Sequence, residues 1–352
     1  MNNLTKAYIA IDLHRRHSVI GYTNNDGQLM HIQQVNTKIR NLINQVSAIA
    51  ADQKYLTIEQ TDMTFAIAEK LAPYVDRLIV CEPRHNKLIS QNATKNDRAD
   101  TLHLCKLLRL GELKPVWRPK QMGRRRLFFQ QVKEYHRLNK LITARKNQLQ
   151  ASLRHWGMYK DVKASDYRDP KRLLEAVDSS ALADQLAADM RLIQDLQAHK
   201  AEQKARFIKT ASNYQEISEF QKMSGIGPVG AHTYSAYIQT PHRFPGRSQL
   251  IRFCQLGVSR RSSDGKQLGR EHLDKAGHSC LKQVSYIAWE TSQHNENEVS
   301  RFYQASLKRS NNATNARLNT QRKILTTLWI IWKHNRTYRP ARFCSGCGNS
   351  AR

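Results

Sequence analysis

Ala7-Tyr8-Ile9-Ala10-Ile11-Asp12 is the stretch whose reading decides the fold. Ala7 to Ile11 is a short apolar run and predicts a strand, which leaves Asp12 at the strand end. Working outward, Ser18 to Thr23 predicts a second strand. Asn25-Asp26-Gly27 supplies a turn with the Asp-Gly hairpin signal, and Leu29 to Gln33 returns as a third strand. A helix follows from about Lys38 to Ala50, then a fourth strand from Leu56 to Glu59 and a helix through Ala66 to Leu71. Leu78 to Cys81 is a fifth strand. Pro83 breaks the pattern, and a helix runs from about Lys95 to Leu110. Three strands with hairpin links, then helix, strand, helix, strand, helix, make an α/β mixed sheet with helices on its faces.

Four acidic residues stand out on these elements. Asp12 ends the first strand and Glu59 ends the fourth. Asp97 and Asp100 lie in Lys95-Asn96-Asp97-Arg98-Ala99-Asp100, at i and i+3 on one helical face. In an RNase H-like sheet the first and fourth strands are neighbours, so Asp12 and Glu59 converge, and the later helix brings Asp97 and Asp100 beside them. Packed carboxylates repel unless cations sit among them, and hard oxygen donors select Mg²⁺ or Mn²⁺. Such ions activate an attacking oxygen and stabilise a leaving one in phosphoryl transfer. Plainer readings stand beside this one. Asp12 alone can simply terminate a strand, Thr94 with Asp97 resembles a capping box, and Asp62 is a rival ligand to Glu59.

The composition names a partner. Lys and Arg number 57 against 29 acidic residues in 352, a net charge of +28, and nucleic acid is the polyanion that neutralises such a surplus. No stretch reaches the ~18 apolar residues of a membrane span, and MNNLTKAYIAID lacks a signal-peptide pattern. Six scattered cysteines make no disulfide framework, and the expected setting is reducing and cytoplasmic. One Cys344-Ser345-Gly346-Cys347 lacks a second pair at zinc-finger spacing. The five tryptophans (117, 156, 289, 329 and 332) read as core anchors rather than base-stacking platforms.

From about Arg124 to Ile208 the pattern is helical. Leu138, Leu141, Ile142, Leu149, Leu153 and Trp156 share one face, and Leu186, Met190, Ile193 and Leu196 share another. The two helices form an antiparallel pair or a dimerising coiled coil, with a solvated basic face as the plain alternative. Farther on, Gly225-Ile226-Gly227-Pro228-Val229-Gly230 sits between helical stretches. It reads as the hairpin of a helix-hairpin-helix, with Gly225 and Gly227 allowing backbone N–H groups to face a phosphate, or as a plain glycine turn. The last residues, with Arg336, Arg339, Arg342 and Arg352, read as a basic tail.

The chain resembles the transposases of the insertion-sequence 110 family, including its 1111 subgroup and the Piv/MooV DNA invertases. Ala7 to Asp12 followed by Leu13-His14 matches the first acidic motif, and Thr57-Ile58-Glu59-Gln60-Thr61 matches the second, with Asp62 where the family commonly has glycine. Cys81-Glu82-Pro83 and Lys95 to Asp100 match the third. Met223-Ser224-Gly225-Ile226-Gly227-Pro228, Arg243-Phe244-Pro245, Gln249-Leu250 and Gln255-Leu256-Gly257-Val258-Ser259-Arg260-Arg261-Ser262-Ser263-Asp264-Gly265-Lys266 follow at the expected places. The usual Gly-Leu-x-Pro proline is missing, Asp264 stands where the family ends a Ser-Gly pair, and Lys275-Ala276-Gly277-His278 is similar to Lys-x-Gly-Asn.

The resemblance implies a RuvC-like DEDD domain over 1–120, a helical coiled-coil region over 121–215, a mainly helical C-terminal transposase domain over 216–335 and a basic tail over 336–352. It implies Asp12, Glu59, Asp97 and Asp100 as ligands of Mg²⁺ or Mn²⁺, and Ser263 as the nucleophile that attacks a DNA phosphodiester, with Ser262 as runner-up. Bottom-up, a Ser-Ser pair in a polar loop reads as a solvated turn. Arg260, Arg261 and Lys266 stand where they can neutralise developing charge. The resemblance further implies donor and target DNA, a structured non-coding bridge RNA, a homodimer or homotetramer, and a bacterial or archaeal cytoplasm near the nucleoid. The expected activity is DNA strand cleavage and rejoining. The alternatives are a RuvC-like structure-specific nuclease acting by hydrolysis and a non-enzymatic nucleic-acid-binding protein.

Overall fold

In the computed structural model the described residues are 4–82, 96–117, 123–158, 163–167, 169–177, 179–259, 262–263, 266–267 and 271–344. They fall into two units, Met1–Met122 and Gly123–Arg352.

The first unit opens with strands β1 (Leu4–Asp12), β2 (His17–Thr23) and β3 (Leu29–Asn36), paired antiparallel in succession. Helix α1 (Ile39–Ala48) leads to β4 (Ala51–Glu59), which lies parallel to β1. Helix α2 (Thr64–Leu71) leads to β5 (Arg77–Cys81), parallel to β4, and α3 (Asp97–Leu110) follows. The sheet order is β3-β2-β1-β4-β5, a mixed sheet as the sequence implied. Strand β4 begins five residues before the expected Leu56. Its polar opening, Asp52, Gln53 and Lys54, pairs with the start of β1 but carries no apolar run to announce it.

Strand β1 is central, with helices over both faces, which explains its continuous apolar run. Ile9 and Ile11 pack with Leu42, Val46, Leu56, Ile58, Ile67 and Leu71. Ala10 packs with Leu104, Cys105 and Leu108 of α3. Each fully buried Leu or Ile contributes roughly 1.5–3 kcal/mol. Gly21 of β2 lets α3 come close. A Cβ there would lie 3.2 Å from Thr101 Cγ2, and the Cys105 thiol donates to the Gly21 carbonyl at 3.5 Å.

The second unit begins with α4 (Arg124–His155), α5 (Lys171–Glu175) and α6 (Ser180–Thr210). Helices α4 and α6 pair antiparallel within the chain. Tyr135 near the start of α4 meets Phe207 near the end of α6, ring centroids 5.6 Å apart, while Leu149 and Leu153 pack with Leu182, Leu186, Met190 and Ile193. The expected stripe is buried at Leu138, Ile142, Leu149 and Leu153 but not at its edges. Leu141 is 38% exposed and Trp156 58%. Trp156, at the C-terminal cap of α4, is therefore no core anchor, whereas Trp329 is buried and Trp289 and Trp332 pack against the main core.

That core gathers α7 (Gln215–Gln221), α8 (Pro228–Ile238), α9 (Arg247–Phe253), α10 (Ser279–Ser292), α11 (Glu298–Ser310), α12 (Ala313–Lys333) and α13 (Pro340–Cys344). Phe128, Phe207, Phe220, Tyr234, Leu281, Ile324 and Leu328 lie at its centre. Two buried polar tips are satisfied by backbone carbonyls. Tyr234 Oη donates to Leu325 O and Trp329 Nε1 to Pro241 O, each at 2.8 Å. The segment after Arg336, expected as a basic tail, joins this core through Tyr338 and Phe343, both buried. Between α9 and α10 the chain makes a short β-arm instead of a loop. Strand β6 (Val258–Ser259) pairs with β9 (His272–Leu273), and β7 (Ser262–Ser263) with β8 (Lys266–Gln267), all antiparallel. No helix among the described residues is long and apolar enough to cross a membrane.

Candidate functional site

Strand pairing brings the first two carboxylates together. Ile11 of β1 stands opposite Ile58 of β4 in parallel register, so Asp12 and Glu59 leave the same end of adjacent strands. The third comes from α3. Asn96 caps that helix, its side chain accepting from Arg98 N at 3.0 Å, which places Asp97 and Asp100 in the first turn. There the helix dipole favours negative charge. The cap is Asn96, and Thr94 of the expected capping box lies outside the described residues.

Asp12, His14 and Asp97 each offer one donor atom, and the three atoms lie within 4.8 Å of one another. His14 Nε2 stands 3.3 Å from Asp12 Oδ2 and 3.6 Å from Asp97 Oδ2. Glu59 and Asp100 fall outside that triplet. Glu59 nevertheless acts on Asp12 through its charge. Burial pushes the Asp12 carboxyl above its ordinary range, and Asp97 and Glu59 push the same way against the opposing pull of His14. Asp62, the rival to Glu59, faces Arg15 instead, at 3.8 Å, and is 72% exposed.

The donor set fits a divalent cation. Neighbouring ligands of a six-coordinate Mg²⁺ lie ~3 Å apart, as bonds of ~2.1 Å at right angles require. The imidazole-to-carboxylate spacings, 3.3 and 3.6 Å, are somewhat longer than that, close enough for small side-chain rotations to close on an ion. Sequence reasoning placed Asp12 and Asp97 here and left out His14. The available signal was the two-residue alternation past the strand end. Leu13 is buried, so His14 returns to the side of Asp12.

In the second unit, β7 carries Ser262 and Ser263, with Ser263 opposite Lys266 across the arm. The pair therefore stands in a strand, not the polar loop expected. Arg260 and Arg261 lie outside the described residues. The two candidate glycines separate. Gly225 has φ +82°, and a Cβ there would lie 2.1 Å from the Ala288 carbonyl of α10, so this glycine serves close packing. Gly227 caps α8 and has open space where a Cβ would point, room for a phosphate to approach the helix start. A cleft of about 590 Å³, absent from the sequence reading, is lined in part by Arg125, Tyr214, Trp332, Lys333 and Arg336. The Arg125 guanidinium lies 4.2 Å over the Tyr214 ring and bonds Glu216 at 2.8 Å.

No curated protein matches the chain. Residues 217–304, from α7 through most of α11 and including the glycine turn and the β-arm, match the family model described as Transposase IS116/IS110/IS902 family, which supports a DNA-transposing role.

Proposed function

We propose that the protein is a transposase of the insertion-sequence 110 type, with a RuvC-like first unit, that cuts and rejoins DNA strands. The observation that carries this reading is the meeting of Asp12, from a strand end, with Asp97, from a helix start, about His14, with Glu59 at the end of the neighbouring parallel strand. The sheet order β3-β2-β1-β4-β5, antiparallel on one side of β1 and parallel on the other, supports the RuvC-like assignment.

Asp12, Glu59, Asp97 and Asp100 would hold Mg²⁺ or Mn²⁺, which when bound supplies Lewis-acid polarisation of a phosphodiester. Ser263 is the proposed nucleophile. Its hydroxyl oxygen forms a bond to phosphorus, one P–O bond of the DNA strand breaks, and the released deoxyribose hydroxyl takes a proton. Rejoining reverses these bonds with a second strand end. Lys266, the register partner of Ser263 on β8, is proposed to offset developing charge. The net charge of +28 supports binding of DNA, and of a structured RNA that would select it by base pairing.

The test is recombination with cognate element ends and RNA. Ser263→Ala should lower the rate by at least ~10³-fold and remove a trappable phosphoserine–DNA adduct. Asp12→Asn should abolish strand cleavage while nucleic-acid binding persists. Wild-type rates in Ser263→Ala sink the nucleophile assignment. Cleavage with no adduct in the wild type points instead to a hydrolytic nuclease.

A further inference from the structure

We infer that His14 is a nitrogen ligand of the cation held by the Asp12 cluster and biases that site toward Mn²⁺ over Mg²⁺. This rests on the metal-site reading above and goes beyond the four-carboxylate set.

The position is built by the fold. Strand β1 ends at Asp12, Leu13 turns into the core at 4% exposure, and His14 comes back to the side of Asp12. The turn is pinned behind it. His14 N donates to Ser18 Oγ at 3.4 Å, and Ser18 Oγ shares a 2.7 Å hydrogen bond with Thr37 Oγ1. The ring nitrogen then faces two carboxylates from different elements, Asp12 at 3.3 Å and Asp97 at 3.6 Å. An ion pair alone is a poor reason for this arrangement. Asp12 is 16% exposed, but His14 is 54% exposed and Asp97 60%, and pairs with so exposed a partner contribute ~0–1 kcal/mol.

Ligand chemistry sets the preference. Mg²⁺ is hard, keeps its waters and takes oxygen donors. Mn²⁺ shares the preference of Mg²⁺ for carboxylate and water, but as a first-row transition cation it accepts an imidazole nitrogen more readily than Mg²⁺ does. One imidazole among carboxylates therefore adds to Mn²⁺ affinity and little to Mg²⁺ affinity.

The experiment is electron spin-echo spectroscopy of the full chain loaded with Mn²⁺ alone, with calorimetric titration of Mn²⁺ and of Mg²⁺. Wild type should show ¹⁴N coupling to the bound Mn²⁺. His14→Gln and His14→Ala should lose it, with Mn²⁺ affinity down about tenfold and Mg²⁺ affinity within about twofold. His17→Ala, at the exposed start of β2, should keep the coupling. Mn²⁺ that binds, is lost in Asp12→Asn and shows no ¹⁴N coupling overturns the role of His14 and leaves the carboxylate site standing. Mn²⁺ binding that ignores Asp12→Asn overturns the metal site itself.

Discussion

Asp12 in the first unit and Glu298 in the second are both partly withdrawn from water, and burial is the largest influence on each, pushing both carboxyls up. They end on opposite sides of their ordinary values. Glu298 accepts from Ser224 N, Ser224 Oγ and Tyr338 Oη, each at 2.9 Å, and these donors bring it below the usual range. Asp12 has one imidazole beside it and two further carboxylates, and it stays above. A buried carboxylate satisfied by donors of its own chain is part of the scaffold. One with few donors and other carboxylates near it keeps the cost of its burial, which is the condition a bound cation would relieve under the proposed function.

The largest expected effect tests the scaffold side. Glu298→Ala leaves the Ser224 N–H and the Tyr338 hydroxyl without their acceptor and should cost about 3 kcal/mol in urea unfolding of the full chain. A cost under about 1 kcal/mol would break the comparison.

Next comes acid. His136, His232 and His278 of the second unit all titrate below the ordinary histidine range, with burial the largest cause, and His136 is brought down to about 4. The unfolded chain takes up protons as pH drops through ~6.5 while the folded unit refuses them, so stability is full above that value and is lost as pH falls toward 4. His136 alone should account for on the order of 2 kcal/mol of the loss at pH 5. Denaturation of wild type and His136→Gln at pH 7 and 5 checks this, because the variant should narrow the gap between the two pH values by that amount.

The smallest effect has the reverse sign. Asp12→Asn removes a charge whose burial cost outweighs the pull of His14, and should stabilise the cation-free protein by roughly 0.5–1 kcal/mol, read as a rise in Tm. Destabilisation there would make Asp12 a second Glu298.

What the sequence disclosed follows from period and burial. The strands of the first unit were legible because β1, covered on both faces, reads as an uninterrupted apolar run, and Asn25-Asp26-Gly27 marks the hairpin between β2 and β3. The strand-end carboxylates were legible for the same reason, since a charge that closes such a run sits where the strand leaves the core. His14 was not. Its signal is the burial of Leu13, one residue past the run. The β-arm was hidden too, because its two-residue strands are too short for any period. At the C-terminus the arginines concealed Tyr338 and Phe343, which carry the segment into the core. Trp156 failed the other way. Its aromatic character marked it as buried, but at the cap of α4 it has run past the partner helix's cover.

Gly21 carries a consequence beyond packing. Asp12 and Glu59 ride on hydrogen-bonded strands, so their spacing is set by the ladder itself. Asp97 rides on a helix, and its distance from Asp12 is whatever gap separates α3 from the sheet. That gap is held where Gly21 has no side chain beneath Thr101, one strand away from the chemistry and without any donor atom of its own. The tolerance of the cluster is thus written in a missing methyl group. A side chain at Gly21 would press on Thr101 and Ile32 by a few tenths of an ångström, and any shift of α3 that relieved it would carry Asp97 away from Asp12.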